Sequence, residues 1–302
     1  MHGLILHHFD ASPYAEKVRL LLGIKGLAWD SVQIPMVSPK PDLTALTGGY
    51  RKTPVLQVGA DVYCDTSGIA RELERQHPQP SLWPDGGAGL PFALAGWGDR
   101  YFEPGAGLAM SLNELPEDLL KDRREFFTHM DFASFAPRRT HLLAQVRAHA
   151  ALVEDQLADG RAFLGGDRPG LVDATAWYPL WMARGYVAVT PALVAGFERL
   201  LAWEERVRAI GHGTRREMTA ADALSIARDA APAAPAGVDP RDPLALAAGT
   251  RVTVTPDDYG KIPVEGALVT LDAHEVAVRR RSDALGEVVV HFPRIGYLVE
   301  PA

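Results

Sequence analysis

Residues 4–24, with the sequence LILHHFDASPYAEKVRLLLGI, place a short apolar run directly before a turn and an amphipathic segment. The run Leu4–Phe9 is typical of a buried strand. Ser12 and Pro13 then suit a helix start, because serine caps helices and proline is favoured at the first helical position. Apolar residues at helical spacing continue to Ile24. The stretch therefore predicts a strand followed closely by a helix.

The residues that follow complete a predicted α/β unit. Trp29–Ile34 is typical of a second strand, and the strand–helix–strand order implies that the two strands are parallel. After a proline-rich link, Thr53–Val58 and Val62–Cys64 flank a tight turn and predict an antiparallel hairpin. Asp65 then supplies a capping side chain for another helix. Residues 1–80 are therefore predicted to form the first domain.

Residues 90–230 are predicted to form an all-helical second domain. Strand signals fade after Leu90, and long segments with one apolar stripe each take over, which is typical of helices that pack in a bundle. The predicted helices span Pro91–Leu112, Arg138–Leu157, Leu171–Gly185, Pro191–Ile210 and Thr219–Asp229.

The remaining chain has a different pattern. Residues 231–249 are rich in alanine, proline and glycine, a composition typical of a linker. Residues 250–302 alternate apolar and polar positions between turn residues, which predicts four or five strands. This pattern leaves a small barrel and a folded sheet open. The predicted fold class is therefore an α/β domain, an all-α helical bundle and a small all-β C-terminal domain.

The composition argues against several classes of protein. A formal net charge of −7 disfavours general affinity for nucleic acid, which depends on cationic side chains. No apolar run approaches the roughly 20 residues needed to span a bilayer, and the first ten residues do not resemble a secretory signal. We therefore expect a cytoplasmic protein that does not bind membranes. The single cysteine, Cys64, cannot form an internal disulfide, and no histidine pair has the spacing of metal ligands.

Three short motifs lie at element boundaries in the first 80 residues: SPYAEKVR (Ser12–Arg19), KTPV (Lys52–Val55) and DTSGI (Asp65–Ile69). In this order they resemble the motifs of glutathione transferases, namely the helix start that activates glutathione, the cis-proline corner and the acidic residue with serine that opens the third helix. Serine stands where omega-type members and glutaredoxins have cysteine, and plant tau-type members are similar in having Ser-Pro there. The resemblance covers residues 4–211 and implies a thioredoxin-like first domain.

The resemblance implies that Ser12 is the catalytic residue. A hydroxyl at a helix start can donate a hydrogen bond to a thiolate, and the positive helix end further lowers a thiol pKa that is normally about 8.5. Ser12 would donate this bond without acting as a nucleophile. A serine that only caps the helix is the alternative interpretation.

The second motif implies contacts with the middle and the glycine end of glutathione. If the bond between Thr53 and Pro54 is cis, the backbone N–H and C=O of Val55 are expected to pair with the cysteinyl part like an added strand. Lys52 is implied for the glycine carboxylate, and the neighbouring Arg51 is the alternative.

Two further helix starts carry the rest of the resemblance. Asp65 suits the γ-glutamyl ammonium, while the hydroxyl of Thr66, which replaces the usual serine, and the helix N–H groups suit its carboxylate. Helix capping alone explains the same residues. Pro169–Ala174 is similar to the family's capping segment in the second domain, except that Gly170 lacks the usual hydroxyl. Asp173 can still bind exposed N–H groups.

The resemblance implies an enzyme that joins glutathione, its co-substrate, to a small apolar electrophile without a metal. The electrophile is expected between the two domains, near the helix that carries Trp97, Tyr101 and Phe102. The resemblance also implies a homodimer. Two alternatives stay open. One is a glutathione-dependent peroxidase or isomerase, and the other is a non-catalytic binding or regulatory protein, which the added strands favour.

Overall fold

The first predicted domain is an α/β unit built on four strands. The structure, a computed structural model, describes residues 3–84, 86–282 and 284–302. The elements in this unit are β1 (Leu4–His8), α1 (Pro13–Ile24), β2 (Ala28–Gln33), α2 (Pro41–Thr47), β3 (Val55–Val58), β4 (Asp61–Cys64) and α3 (Thr66–Gln76). β1 pairs in parallel with β2 and antiparallel with β3, which pairs with β4. The sequence pattern does not predict α2, because seven residues are too few to show a helical repeat.

A helical bundle follows, which confirms the prediction of a helical second domain. Its helices are α4 (Gly89–Ala93), α5 (Ala95–Leu112), α6 (Glu117–Phe126), α7 (Arg139–Gln156), α8 (Leu171–Tyr186), α9 (Thr190–Leu193) and α10 (Glu198–Ile210). α5 packs against both α7 and α8. The sequence pattern misses α6, whose ten residues are mostly charged and include only three large apolar side chains, Leu119, Leu120 and Phe126. In the described part of the chain, no helix combines the length and apolar character that a bilayer crossing requires.

The C-terminal part contains strands, as predicted. After the bundle come β5 (Thr214–Glu217), α11 (Ala220–Asp229), β6 (Gly237–Val238), β7 (Arg251–Pro256), β8 (Val264–Leu271), β9 (Glu275–Ser282), β10 (Gly286–Pro293) and β11 (Tyr297–Pro301). β5 adds to the first sheet beside β2, and β6, inside the predicted linker, pairs with β8. We refer to residues 250–302 as the extension.

The extension continues the sheet of the first domain. β10 lies parallel to β4, with Val289 opposite Asp61 and His291 opposite Tyr63. Among the described residues the strand order is an open series, β11-β7-β8-β9-β10-β4-β3-β1-β2-β5. The sequence leaves a small barrel and a folded sheet open. The described strands pair as an open sheet and do not close into a barrel. The domain boundaries drawn from the sequence stay predictions.

One hydrophobic cluster joins the extension to the rest of the molecule. Leu43 and Leu46 of α2 and Ala227 of α11 belong to the same buried cluster as Val290 and Phe292 of β10. All five side chains are at most 1 % exposed. Because burial of apolar side chains is a main source of stability, this shared cluster holds the extension against the first domain.

Glu16 connects α1 to the helical domain. Its Oε1 accepts hydrogen bonds from Trp177 of α8 at 2.8 Å and from His212 at 3.1 Å, while Oε2 pairs with Arg19 at 2.9 Å. The Glu16 side chain is 3 % exposed. Since a buried carboxylate must keep its partners, these bonds fix the position of α1 relative to α8.

The start of α8 explains the missing hydroxyl at residue 170. A Cβ atom on Gly170 would lie 2.6 Å from the carbonyl oxygen of Leu82, so serine or threonine would clash there. Asp173 caps the helix instead. Its carboxylate accepts hydrogen bonds from the N–H groups of Gly170 and Leu164 and from the indole of Trp203.

His291 fastens β10 to its neighbouring strands through its side chain. Its Nε2 lies 2.9 Å from Asp61 on β4, its Nδ1 lies 2.6 Å from Glu275 on β9, and its ring stacks on Tyr63. Burial disfavours the charged ring, but the hydrogen bonds to the two carboxylates outweigh burial and raise the pKa of His291 to about 9.

We expect His291 to make stability depend on pH. The ring has a pKa near 6.5 when unfolded and about 9 when folded, so its stabilising effect is complete below about pH 6.5 and is lost as the pH rises through 9. Between these limits, the wild type should lose on the order of 2–3 kcal/mol of unfolding free energy that a His291→Gln variant does not lose. Urea unfolding followed by circular dichroism measures the difference. His274→Gln, which changes an exposed histidine of the extension, should behave like wild type. Parallel pH profiles for wild type and His291→Gln would contradict this interpretation.

Candidate functional site

A cavity of about 390 Å³ lies where the first domain, the helical domain and the extension meet. One side is polar and comes mainly from the first domain, and the other side is largely apolar. The polar side includes Ser12, Lys17, Lys40, Lys52, Thr53, Pro54, Asp65, Thr66, Ser67 and Asp99. The apolar side includes Tyr14, Phe102, Met110, Leu115, Phe126, Phe127, Met182 and Tyr259.

Ser12 lies on the cavity wall at the start of α1. Its backbone is extended, Pro13 occupies the first helical turn, and its Oγ accepts a hydrogen bond from the N–H of Ala15 at 3.2 Å. The side chain therefore caps the helix with its oxygen. Since the capping bond uses the oxygen as acceptor, the hydroxyl hydrogen can still be donated to a group in the cavity. Capping and donation are compatible roles for the same serine.

The corner before β3 places three of its four predicted residues, Lys52, Thr53 and Pro54, at the cavity. The peptide bond between Thr53 and Pro54 is cis, and both residues line the cavity. The hydroxyl oxygen of Thr53 is buried without a hydrogen-bond partner among the described residues. Val55 does not line the cavity. It is fully buried within β3, opposite Cys64 on one side and His7 on the other, and its contact with the cysteinyl part of glutathione stays a prediction.

Lys52 lines the cavity but is already paired. Its Nζ lies 2.5 and 2.7 Å from the two carboxylate oxygens of Asp258, and 4.1 Å from the ring centre of Tyr259. Both partners belong to the connection between β7 and β8 in the extension. The extension thus reaches a residue that the sequence pattern assigns to the ligand.

Three other cations lie at the same end of the cavity. Arg51 and Arg123 share the carboxylate of Asp122, at 2.6 and 2.5 Å. No carboxylate in the described ranges lies within ion-pair distance of Lys40. Burial lowers the pKa of Lys40 to about 8, and the charges of Arg123 and Arg51 act in the same direction. Lys40 is therefore still mostly charged at neutral pH and is available to an anion. The sequence pattern gives no sign of this role, since Lys40 lies in the link before α2.

The start of α3 holds Asp65 and Thr66 at the cavity. Asp65 has a φ of 71°, which is uncommon for a residue other than glycine, and its carboxylate accepts hydrogen bonds from the N–H of Ser67 at 2.8 Å and from Tyr297 at 3.3 Å. Thr66 accepts a hydrogen bond from the Nζ of Lys17 at 3.2 Å. Unusual backbone conformations of this kind are enriched at active and binding sites.

Asp99 of α5 also lines the polar side of the cavity. Its Oδ1 accepts hydrogen bonds from the hydroxyls of Tyr14, at 2.9 Å, and Tyr178, at 3.0 Å. Burial raises the pKa of Asp99, and the charge of Lys17 acts against this shift. No sequence signal marks Asp99, because a lone aspartate in a helical pattern usually faces solvent.

Of the three aromatic residues expected to line the cleft, only Phe102 does so. Tyr101 is 1 % exposed and packs in the core beside His149, and Trp97 packs against Tyr101. Adjacent residues of a helix point in different directions, so α5 presents only one of these rings to the cavity.

The described residues support neither an activated cysteine nor a metal centre. Cys64 is fully buried, and burial raises the pKa of its thiol well above the usual value, so the thiol is not activated. Across residues 3–84, 86–282 and 284–302, no group of three or more His, Cys, Asp or Glu side chains is placed to hold a metal ion.

Comparison with known proteins identifies the family. The profile of the glutathione S-transferase N-terminal domain matches residues 6–81, and that of the glutathione S-transferase C-terminal domain matches residues 136–206. A crystal structure of a GST-like protein from Pseudomonas syringae shares 37 % sequence identity, covers 100 % of both chains and has a TM-score of 0.82. The chain belongs to the glutathione S-transferase family. Since the match covers the whole chain, the extension is part of the similarity.

Two other proteins are similar to this member of the glutathione S-transferase family over part of its chain. The FtsZ-localized protein A of Caulobacter vibrioides is 28 % identical over 177 residues, which cover 57 % of this chain and 73 % of that protein. A Tau class glutathione S-transferase from mango, Mangifera indica, shares 20 % identity over 68 % of this chain and 89 % of its own, with a TM-score of 0.52. The mango structure supports the fold alone.

Proposed function

We propose that the protein is a glutathione transferase in which the hydroxyl of Ser12 stabilises the thiolate of bound glutathione. The observation that carries this proposal is the position of Ser12 on the cavity wall, with its oxygen used for capping and its hydrogen free for donation. The N-terminal end of α1 adds its positive potential at the same place. Both effects favour the charged form of a thiol and lower its pKa.

The polar side of the cavity matches the charged groups of glutathione. The γ-glutamyl end fits the start of α3, where the helix N–H groups and Thr66 suit the carboxylate and where Asp65 and Asp99 suit the ammonium. The cysteinyl part would lie along Thr53 and Pro54. For the glycine carboxylate we propose Lys52, with Lys40 as a second cation. The ligand carboxylate would compete with Asp258 for Lys52.

The apolar side of the cavity suits an apolar electrophile. In conjugation, the glutathione sulfur forms a bond to an electrophilic carbon, and a leaving group departs with the electron pair of the bond that breaks. Exclusion of water by the surrounding aromatic and methionine side chains strengthens the hydrogen bond from Ser12 to the thiolate. Thiol–disulfide exchange is disfavoured, because residue 12 is not a cysteine and Cys64 is buried. We further propose a homodimer in the cytoplasm.

A second candidate function is binding without catalysis. It is favoured by the similarity to FtsZ-localized protein A, whose name refers to a partner rather than to a reaction. A protein of this kind could keep the cavity and still not activate a thiol, since fold does not determine function. The state of the bound thiol distinguishes the two candidates.

We expect the wild type to lower the pKa of bound glutathione by about two units, so that thiolate predominates at neutral pH. The ultraviolet absorbance of the bound thiolate, measured against pH, gives this value. Ser12→Ala and Ser12→Gly should lose most of the shift. The glycine variant changes the helix cap by only a few tenths of a kcal/mol, so its loss would be due to the hydroxyl.

Ser111→Ala, which removes a hydroxyl of α5 outside the cavity lining, is the matched control and should keep the shift. An unshifted thiol in the wild type would exclude catalysis and leave the binding function. A full shift in Ser12→Gly would exclude Ser12 as its source.

Asp258→Asn should bind glutathione more tightly than the wild type, by about 2- to 5-fold at low salt. The change removes a carboxylate that occupies Lys52, the proposed partner of the ligand's own carboxylate. Titration calorimetry measures the affinity. Asp257→Asn alters the neighbouring exposed carboxylate and should have no effect. Weaker binding by Asp258→Asn would show that Lys52 does not hold the glycine carboxylate.

A further inference from the structure

The connection between β7 and β8, residues 257–263, brings the extension to the ligand cavity. Asp258 and Tyr259 are the residues of this connection that line it, beside residues from the first domain and the helical domain. The family profiles match residues 6–81 and 136–206 and so do not include this connection. Any contact that it makes with a ligand is additional to those of the two family domains.

Aromatic rings of the helical domain hold Tyr259 in place. Its ring centre lies 5.2 Å from Phe126, 5.0 Å from Phe127 and 5.2 Å from His129, on which it stacks. Phe126 and Phe127 also line the cavity. Tyr259, Phe126 and Phe127 therefore form a continuous aromatic surface that closes one side of the cavity.

The backbone next to Tyr259 is fitted closely to this surface. Gly260 has a φ of 60°, and a Cβ atom there would lie 2.4 Å from the ring of Phe126. Only glycine allows both this conformation and this approach. On the other side, Lys52 bonds Asp258 and lies over the Tyr259 ring. The Tyr259 ring is thus fixed between a residue of the polar side and the aromatic residues of the apolar side.

The position of Tyr259 suits contact with the second substrate. Its ring lies directly beside Lys52, at the edge of the apolar side of the cavity. The glycine end of the tripeptide is proposed to lie at Lys52. A flat aromatic group attached to the sulfur would pack against aromatic rings here. Contacts between aromatic rings are stabilising beyond the contribution of buried area alone. A small aliphatic group would gain much less from the same surface.

We propose that Tyr259 is a specificity-determining residue that contacts the electrophile and selects planar aromatic compounds. The proposal rests on the proposed function, because it assumes that glutathione occupies the polar side. It assigns to the extension a direct part in the substrate site. The ring makes the contact, and the hydroxyl is not required for it.

Binding of glutathione and of S-benzylglutathione, which carries an aromatic group on the sulfur, tests the proposal by calorimetry. Tyr259→Leu should bind glutathione within about 2-fold of wild type and S-benzylglutathione about 3- to 10-fold more weakly, as expected for a lost aromatic contact. Tyr259→Phe keeps the ring and should bind both ligands like wild type. Ile295→Ala, which shortens an exposed side chain of the extension, is the matched control. Tyr259→Gln replaces the leucine variant if that variant does not fold.

The outcomes separate this proposal from the function on which it rests. If wild type and Tyr259→Leu gain equally from the benzyl group, Tyr259 does not contact the electrophile, while glutathione binding still supports the site. If Tyr259→Phe loses as much as Tyr259→Leu, the hydroxyl rather than the ring is responsible, and the aromatic selection is wrong. If wild type binds neither ligand, the proposed function fails and this proposal fails with it.

Discussion

The backbone pairing of β10 with β4 is the constraint on which the arrangement of the three parts depends. β4 follows the hairpin of the first domain and would otherwise present unpaired N–H and C=O groups at the edge of its sheet. β10 satisfies these groups and places the connection between β7 and β8 next to the ligand cavity. His291 strengthens the same junction by bonding carboxylates on both neighbouring strands. The sheet is therefore both a scaffold and the means by which the extension reaches the site.

α1 connects the helical domain to the candidate site. Ser12 lies at its start, and one turn later Glu16 is held by Trp177 of α8 and by His212. Because Ser12 caps the helix that contains Glu16, the contacts that hold Glu16 also fix the position of Ser12 at the cavity. The buried Glu16 network and the helix start at the cavity thus act as one unit. Removal of the Glu16 partners would disturb the site without touching any residue that lines it.

Local features of the fold could be predicted from the sequence, and features set by distant contacts could not. The cap at Ser12, the hairpin before Cys64 and the helical pattern of α8 depend on neighbouring residues, so their sequence signals are strong. The exclusion of Val55 from the cavity, and the approach of Asp99 to it, depend on how whole elements pack. No pattern within the last 50 residues shows that their strands join a sheet begun at the other end of the chain.

The junction of β4 and β10 also determines the order in which the protein can be assembled. Asp61 and Val289 are separated by about 230 residues, so this contact closes a very long loop and has a high contact order. During synthesis, the first domain and the helical bundle emerge well before β10. A growing chain can therefore form the helix start with Ser12 early, while its cavity still lacks the wall that contains Tyr259. The complete cavity is among the last features of the molecule to form.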